Sequence, residues 1–383
     1  MRIVQIANFY TPTSGGLRTT VDEIGRGYLA AGHERILIVP GPADSDEETP
    51  AGRRICLRSP RLAGSGSYHV LTARRRTAAL LDALRPDLVE ASDKLSIGWI
   101  ARWTRARRVP LVLFSHERID AILRTRVPSW FPLGASADLV NRRLARLAGL
   151  IVVTSGFAAA EFTRVGVENL RRVPLGVDLE TFKPVPGVPA SRLITVSRLS
   201  REKHPERAVE AVRVLRDRGV PVELTIVGDG PLRPEVTAAA AGLPVRFAGH
   251  VADRAAVARL VAEADVAVLP SPAETFGLAI LEALACGTPV VVPDDGAARE
   301  LVGGPGSGVV SDGTPRGLAD GVVSLLATPV ELRRSAARAS AERFPWSATV
   351  SGLLEVYAAL VAASEAGTPA VLDLSRPAGL GMS

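Results

Sequence analysis

The chain has 383 residues, 47% apolar and 22% charged, a composition of folded globular domains and a length better suited to two cores than to one. Residues 1–185 carry 27 Lys and Arg against 18 Asp and Glu, whereas residues 186–383 carry 19 against 22. A basic first half suits an anionic partner such as phospholipid or lipid phosphate, and with only 4% aromatic residues and no nucleic-acid-binding motif that interleaves them with cations, nucleic acid is discounted. No apolar run reaches the roughly 18 residues of a membrane-spanning helix. MRIVQIANF enters a strand directly and lacks a signal-peptide pattern. Cys56 and Cys286 lie far apart and read as small buried hydrophobes in a reducing compartment, so a cytoplasmic location is expected.

In chain order, apolar strand runs alternate with helical stretches throughout, the pattern of parallel α/β sheets covered by helices. The first half offers IVQIA, RILIV, DLVEA, PLVLFS and GLIVVTS; the second offers RLITVS, ELTIVG, VRFAG, VAVLP and PVVVP. Between them, FKPVPGVPAS (182–191) holds three prolines and no periodicity, so it reads as a stiff linker. The expected division is therefore 1–182, 183–345, a helix over 346–363 after the FPW break, and a loose tail from 364 to 383. Two Rossmann-like domains joined there leave a cleft, and open α/β sheets bind ligands at the carboxyl ends of their strands.

Several residues at such strand ends have chemistry to offer. Gly15 and Gly16 follow the first strand and precede LRTTVDEIGRGYLAAG, where glycine lets a ligand approach the helix N-terminus. His116 ends PLVLFS, with Glu117 and Asp120 close behind. Arg198 and Lys203 combine a planar fork with a compact ammonium, a pair suited to a diphosphate. Lys203 is one of three lysines against 43 arginines, so the choice of Lys there is informative. Gly228-Asp-Gly230-Pro begins like a dinucleotide fingerprint, but Arg233 replaces the last glycine, which argues against a dehydrogenase.

The densest signal is Glu274-Thr275-Phe276-Gly277-Leu278 through Glu282, after the strand VAVLP. The first Glu sits on a strand-to-helix turn and the second inside the helix. Amides of that turn suit phosphate or polarised hydroxyl oxygens, and a carboxylate accepts from vicinal hydroxyls. Asp44-Ser-Asp46 matches a DxD metal signature but lies in an acid-rich polar segment, and is rejected as a metal site. No His/Cys cluster has ligand spacing. Arg124-Thr-Arg-Val-Pro-Ser-Trp130-Phe131 mixes cations with aromatics, which suits either a lipid interface or a buried loop anchor.

Five segments in order, YTPTSGGLRT, FSHE, SRLSREKHPERAVEA, VGDGPLRPEV and the E-x7-E stretch, resemble the retaining GT-B glycosyltransferases of glycosyltransferase family 4. The resemblance covers Met1 to about Ala363 and looks nearest to bacterial GDP-mannose-dependent α-mannosyltransferases of cell-envelope glycolipids. It implies a GT-B fold, with the C-terminal helix crossing back onto the first domain. It also implies that His116 contacts the donor sugar and that Arg198 and Lys203 neutralise the departing diphosphate. Glu274 would accept sugar hydroxyls and Glu282 ribose hydroxyls. The Gly15-Gly16 and Gly228-Gly230 loops, Val251 in FAGHV, and the turn Thr275 to Leu278 would border the donor. No cofactor or metal is implied; the nucleotide sugar is substrate, and the acceptor is a glycan or glycolipid. A UDP-sugar enzyme acting on a soluble small molecule, a GT-B epimerase or phosphorylase, and a non-catalytic sugar-nucleotide sensor are the competing readings. Two departures stand out: Leu175 where many members have Asn, and His204 where many have Gly after the Lys.

Overall fold

The computed structural model describes residues 1–11, 15–62, 68–118, 133–186 and 191–367. It divides into two compact units, one of residues 1–175 with 346–383 and one of 176–345. Each is built on a sheet with helices packed against it.

The first unit holds β1 (Arg2–Ile6), β2 (Glu34–Gly41), β3 (Ser45–Thr49), β4 (Gly52–Arg58), β5 (Leu88–Ala91), β6 (Leu111–Ser115), β7 (Leu150–Val153) and β8 (Leu170–Arg172). Their order across the sheet is β3-β4-β2-β1-β5-β6-β7-β8, and all pairs are parallel except β3–β4. β5, β6 and β7 are buried along their whole length, as strands covered on both faces must be. The second unit holds β9 (Arg192–Val196), β10 (Glu223–Val227), β11 (Val245–Gly249), β12 (Val266–Val268), β13 (Val290–Pro293) and β14 (Gly308–Ser311), in the order β11-β10-β9-β12-β13-β14. In each sheet the order reverses once, beside β1 in one and beside β9 in the other. That reversal opens a crevice at the strand carboxyl ends.

All ten expected strands form. Four more were missed, and β3 shows why: SDEET has no apolar face and reads as a loop. It is held as an edge strand by cross-strand ion pairs, Arg53 with Asp46 at 2.7 Å and Arg54 with Glu47 at 2.9 Å. β4, β8 and β14 are short or carry several charged or small residues.

The division between the units also differs from expectation. It falls after Leu175, not at 182, and the proline-rich stretch belongs to the second unit. Val177 N–H donates to Phe344 O (2.9 Å), Phe182 is fully buried, and Arg338 donates to Leu179 O and Phe182 O. Burial of one aromatic and capture of these carbonyls fix the segment before its prolines are reached.

The C-terminal helix, Trp346–Ala366, belongs to the first unit. It is long and apolar enough by composition to cross a membrane, contrary to the reading that no stretch reaches that threshold. Its Leu353, Val356, Tyr357 and Leu360 are nevertheless buried in the unit. Tyr357 Oη donates to the buried Glu90 (2.8 Å), which also accepts from Tyr28 Oη (3.1 Å) and Gln5 Nε2 (3.0 Å). Gln5 in turn accepts from Arg35 (2.6 Å), whose remaining donors reach Ala51 O and Val21 O. Desolvation pushes the Glu90 carboxyl up, and the Tyr357, Gln5 and Tyr28 hydrogen bonds oppose it. The helix continues to Ala366, past the expected 363, and most of the expected tail lies outside the described residues.

Candidate active site

In the second unit, the loops after β9 and β12 leave neighbouring strands on the two sides of the reversal in strand order. The loop after β9 runs through Arg198 into a single 3-10 turn, Arg201–Lys203. The loop after β12 carries Ser271 and Glu274 to the helix Leu278–Ala285. Ser271 Oγ donates to Glu202 O (3.3 Å), lacing the two loops together. Lys203 Nζ then donates to Glu274 Oε1 at 2.5 Å, with both side chains about a quarter exposed (26% and 22%). Two groups 71 residues apart thus meet as a half-solvated pair at the ligand crevice of the sheet. Ala297 N–H donates to Glu274 O (2.9 Å) and fixes the turn from beneath, a contact no motif announced.

Arg198 does not join this pair. It lies two residues beyond β9, exposed, and is ion-paired with Glu202 and hydrogen-bonded to Ser200 Oγ (3.1 Å). Although burial works against it, the Ser200 hydroxyl and the Arg198 guanidinium hold the Glu202 carboxyl below its usual range. A ligand that takes the Arg198 Nη2 donor must therefore compete with Glu202.

Gly228 and Gly230 follow β10, and their glycine identity has a direct steric cause. A Cβ at Gly228 would lie 1.9 Å from Ser197 O, and one at Gly230 would lie 2.4 Å from Leu199 O. The two loops are joined backbone to backbone, with Leu199 N–H donating to Asp229 O (3.0 Å). These glycines let the β10 loop pack against the segment that carries Arg198. Gly277 caps the E-x7-E helix at φ +102°, a region that excludes most side chains. Phe276 is buried, and Thr275 and Leu278 are half-buried around that cap.

Glu282 lies within the helix and its side chain is 13% exposed. Arg254, which the sequence did not flag, donates to its Oε1 at 3.0 Å. Burial pushes the Glu282 carboxyl up and Arg254 opposes the shift. Val251, half-buried, precedes the helix Arg254–Ala262, whose N-cap Asp253 accepts from Ala255 N–H (3.0 Å).

In the first unit, the helix Gly15–Ala30 begins at Gly15 itself, so the paired glycines form its exposed first turn and do not precede it. A Cβ at Gly15 would meet nothing within 4 Å among the described residues. His116 follows β6 with its ring stacked on Phe114 (centroids 4.4 Å apart, 14° between planes). Desolvation lowers its pKa to about 3, so the imidazole is neutral at ordinary pH. Such a ring offers one donor and one acceptor nitrogen but brings no charge. Glu117 is exposed; Asp120 and the Arg124 to Phe131 segment lie outside the described residues.

The residues of the two departures are accounted for locally. Leu175 is a buried core side chain. His204 sits at φ +48°, ψ 47°, the left-handed geometry that glycine favours, with Nδ1 2.9 Å from Glu206 Oε1. The acids of Asp44-Ser-Asp46 are engaged by Arg76 (3.1 Å) and Arg53 (2.7 Å), and no group of three or more candidate metal ligands occurs among the described residues.

Comparison with known proteins gives the chain its relatives. Residues 14–181 match the family described as Glycosyltransferase Family 4, and residues 190–328 match Glycosyl transferases group 1. A GDP-mannose-dependent alpha-(1-6)-phosphatidylinositol dimannoside mannosyltransferase of Mycobacterium tuberculosis is 42% identical, covering 96% of this chain and 98% of its own. An MMP alpha-(1->4)-mannosyltransferase of Mycolicibacterium hassiacum is 32% identical, covering 75% and 74%. Among solved structures, a sucrose-phosphate synthase of Thermosynechococcus elongatus superposes with a TM-score of 0.78 at 23% identity, covering 95% of this chain and 100% of that one, a likeness of fold. With both sheets, the switch-point pair and these matches in hand, the chain belongs to glycosyltransferase family 4 and is a GT-B glycosyltransferase.

Proposed function

We propose that the protein transfers mannose from GDP-mannose to a hydroxyl of a lipid-linked cell-envelope glycan, with retention of the α configuration. The observation that carries this reading is the Lys203–Glu274 pair at the sheet's switch point, in a chain 42% identical to a GDP-mannose-dependent enzyme. Glu274 accepts hydroxyl hydrogens of the donor sugar, which frees the Lys203 ammonium for the diphosphate. Arg198 leaves Glu202 and joins it. Charge builds on the departing diphosphate, so two cations and the Thr275–Gly277 turn stabilise the transition state more than the ground state. The neutral His116 positions the sugar; it does not attack. The acceptor proton passes to a phosphate oxygen, and no protein base is assigned. With Lys203 and Arg198 supplying the countercharge, the reaction proceeds without a metal.

The basic first half of the chain favours peripheral contact with an anionic membrane from the cytoplasmic side. No nucleic-acid partner is assigned. Calorimetric titration with GDP and with UDP, in chelator, tests the donor. Tight GDP and weak UDP binding is expected; the reverse moves the enzyme to a UDP-sugar, and binding of neither overturns the GDP-mannose assignment. NMR of the anomeric proton in the product then checks retention.

A further inference from the structure

Glu282 holds a ribose best when its carboxylate is both ionised and aimed, and burial works against the first. The side chain is 13% exposed, and burial favours the neutral acid. A neutral carboxyl gives up part of its accepting capacity and can no longer make charge-assisted bonds to two hydroxyls.

Arg254 serves both needs. It opens the helix after the Val251 loop and donates to Glu282 Oε1 at 3.0 Å, and it is the charged group that counters the burial of Glu282. Its guanidinium carbon lies 5.0 Å from the centroid of the Phe182 ring. Phe182 is itself immobilised: it is fully buried, its N–H donates to Asp178 O (2.9 Å), and Arg338 holds its carbonyl (2.9 Å). The same Arg338 Nη1 donates to Ala285 O (2.9 Å), the C-terminal end of the helix that carries Glu282. Asp178 adds an attractive negative charge near Arg254, and its own carboxyl is held low by the Thr181 and Glu180 donors once burial is overcome. The platform, the guanidinium and the carboxylate helix are therefore fixed to one another at both ends.

We propose that Arg254, seated on Phe182, is a positioning residue that holds Glu282 ionised and oriented for the ribose hydroxyls of the donor nucleotide. The proposal rests on Glu282 being the ribose acceptor, so the experiment reads the two claims separately. Binding of GDP and of 2′,3′-dideoxy-GDP is measured for wild type, Glu282→Gln and Arg254→Ala. Should calorimetry favour uracil, the UDP pair replaces them. Wild type prefers the full ribose by about 10-fold or more, the range of one charge-assisted hydrogen bond. Arg254→Ala loses most of that preference while dideoxy-nucleotide affinity is unchanged, which also shows that the variant is folded. Its preference recovers as pH rises and Glu282 ionises, and it does so at higher pH than in wild type, where Arg254 opposes the burial of Glu282.

Retention of the full preference in Arg254→Ala, with its loss in Glu282→Gln, overturns the role of Arg254 and leaves the ribose assignment standing. No ribose preference in wild type, or none lost in Glu282→Gln, overturns both. Should Arg254→Ala not fold, Arg254→Lys and Phe182→Leu take its place. Lys keeps the charge but not the planar fork, so it restores ionisation and only part of the preference.

Discussion

Two acid–base clusters, one in each unit, use similar residue types for opposite ends. In the first unit, Glu90 is 1% exposed and accepts from Tyr357, Tyr28 and Gln5, with Arg35 beyond Gln5. In the second, Glu274 is 22% exposed and meets Lys203 on loops at the ends of β9 and β12. The first cluster spans three neighbouring strands and two helices of the sheet interior and fastens the C-terminal helix to its unit. The second stands at strand carboxyl ends, where open α/β sheets bind their ligands. Chemistry alone does not separate them. Burial, completeness of partners and position relative to the strand ends do: saturated polar groups in a dry interior specify a fold, and half-solvated ones can exchange partners with a substrate.

The contrast can be broken at either end. Glu90→Ala leaves two tyrosine hydroxyls and an amide without their acceptor, and is expected to lower unfolding free energy by about 3–5 kcal/mol. Chemical denaturation followed by circular dichroism measures it, and a loss under about 1 kcal/mol would assign the cluster little structural weight. Lys203→Ala is expected to do the reverse. Transfer falls by about 100- to 1000-fold, near 3–4 kcal/mol in the barrier, with the melting temperature nearly unchanged. A variant that melts early but turns over normally would exchange the roles of the clusters.

His116 supplies a finer probe. Its pKa falls from 6.5 to about 3 on folding, so between those values the unfolded chain binds more protons than the native one. Its contribution to stability is present above pH 6.5 and is lost as pH falls toward 3. His116→Gln should flatten the acid limb of a denaturation-midpoint curve over that window; an unchanged limb would show that the ring is already charged in the fold. The smallest effect is expected at His204, whose φ of +48° places a side chain where glycine is at ease. His204→Gly should stabilise by up to about 1 kcal/mol, read from the denaturation midpoint, with donor affinity retained.

Much of the site was legible because strand-end motifs are local. Glu274, Gly277 and Glu282 sit within nine residues, and a strand followed by a helical repeat fixes how they are presented. Arg198 was legible as a cation at a strand end but not as a group ion-paired with Glu202, since that pairing is a property of the folded turn. Arg254 gave no signal at all. It is one of 43 arginines, and its meaning arises only when Phe182 and Glu282 are brought around it. The acidic strand β3 was invisible for a related reason: its partners lie across a turn, and SDEET has no hydrophobic alternation to mark it as a strand.

By itself the sequence determined the α/β class, the ten core strands and the order of the loops that bear chemistry, because apolar periodicity and turn residues act over a few positions. Tertiary structure alone decided three things. It fixed where one unit ends and the next begins, which cations pair with which carboxylates, and which acid is walled in and which left open to ligand. Many of those depend on contacts between residues far apart in the chain, 28 positions for Arg254 with Glu282 and 267 for Tyr357 with Glu90, and all depend on how much water each pair retains.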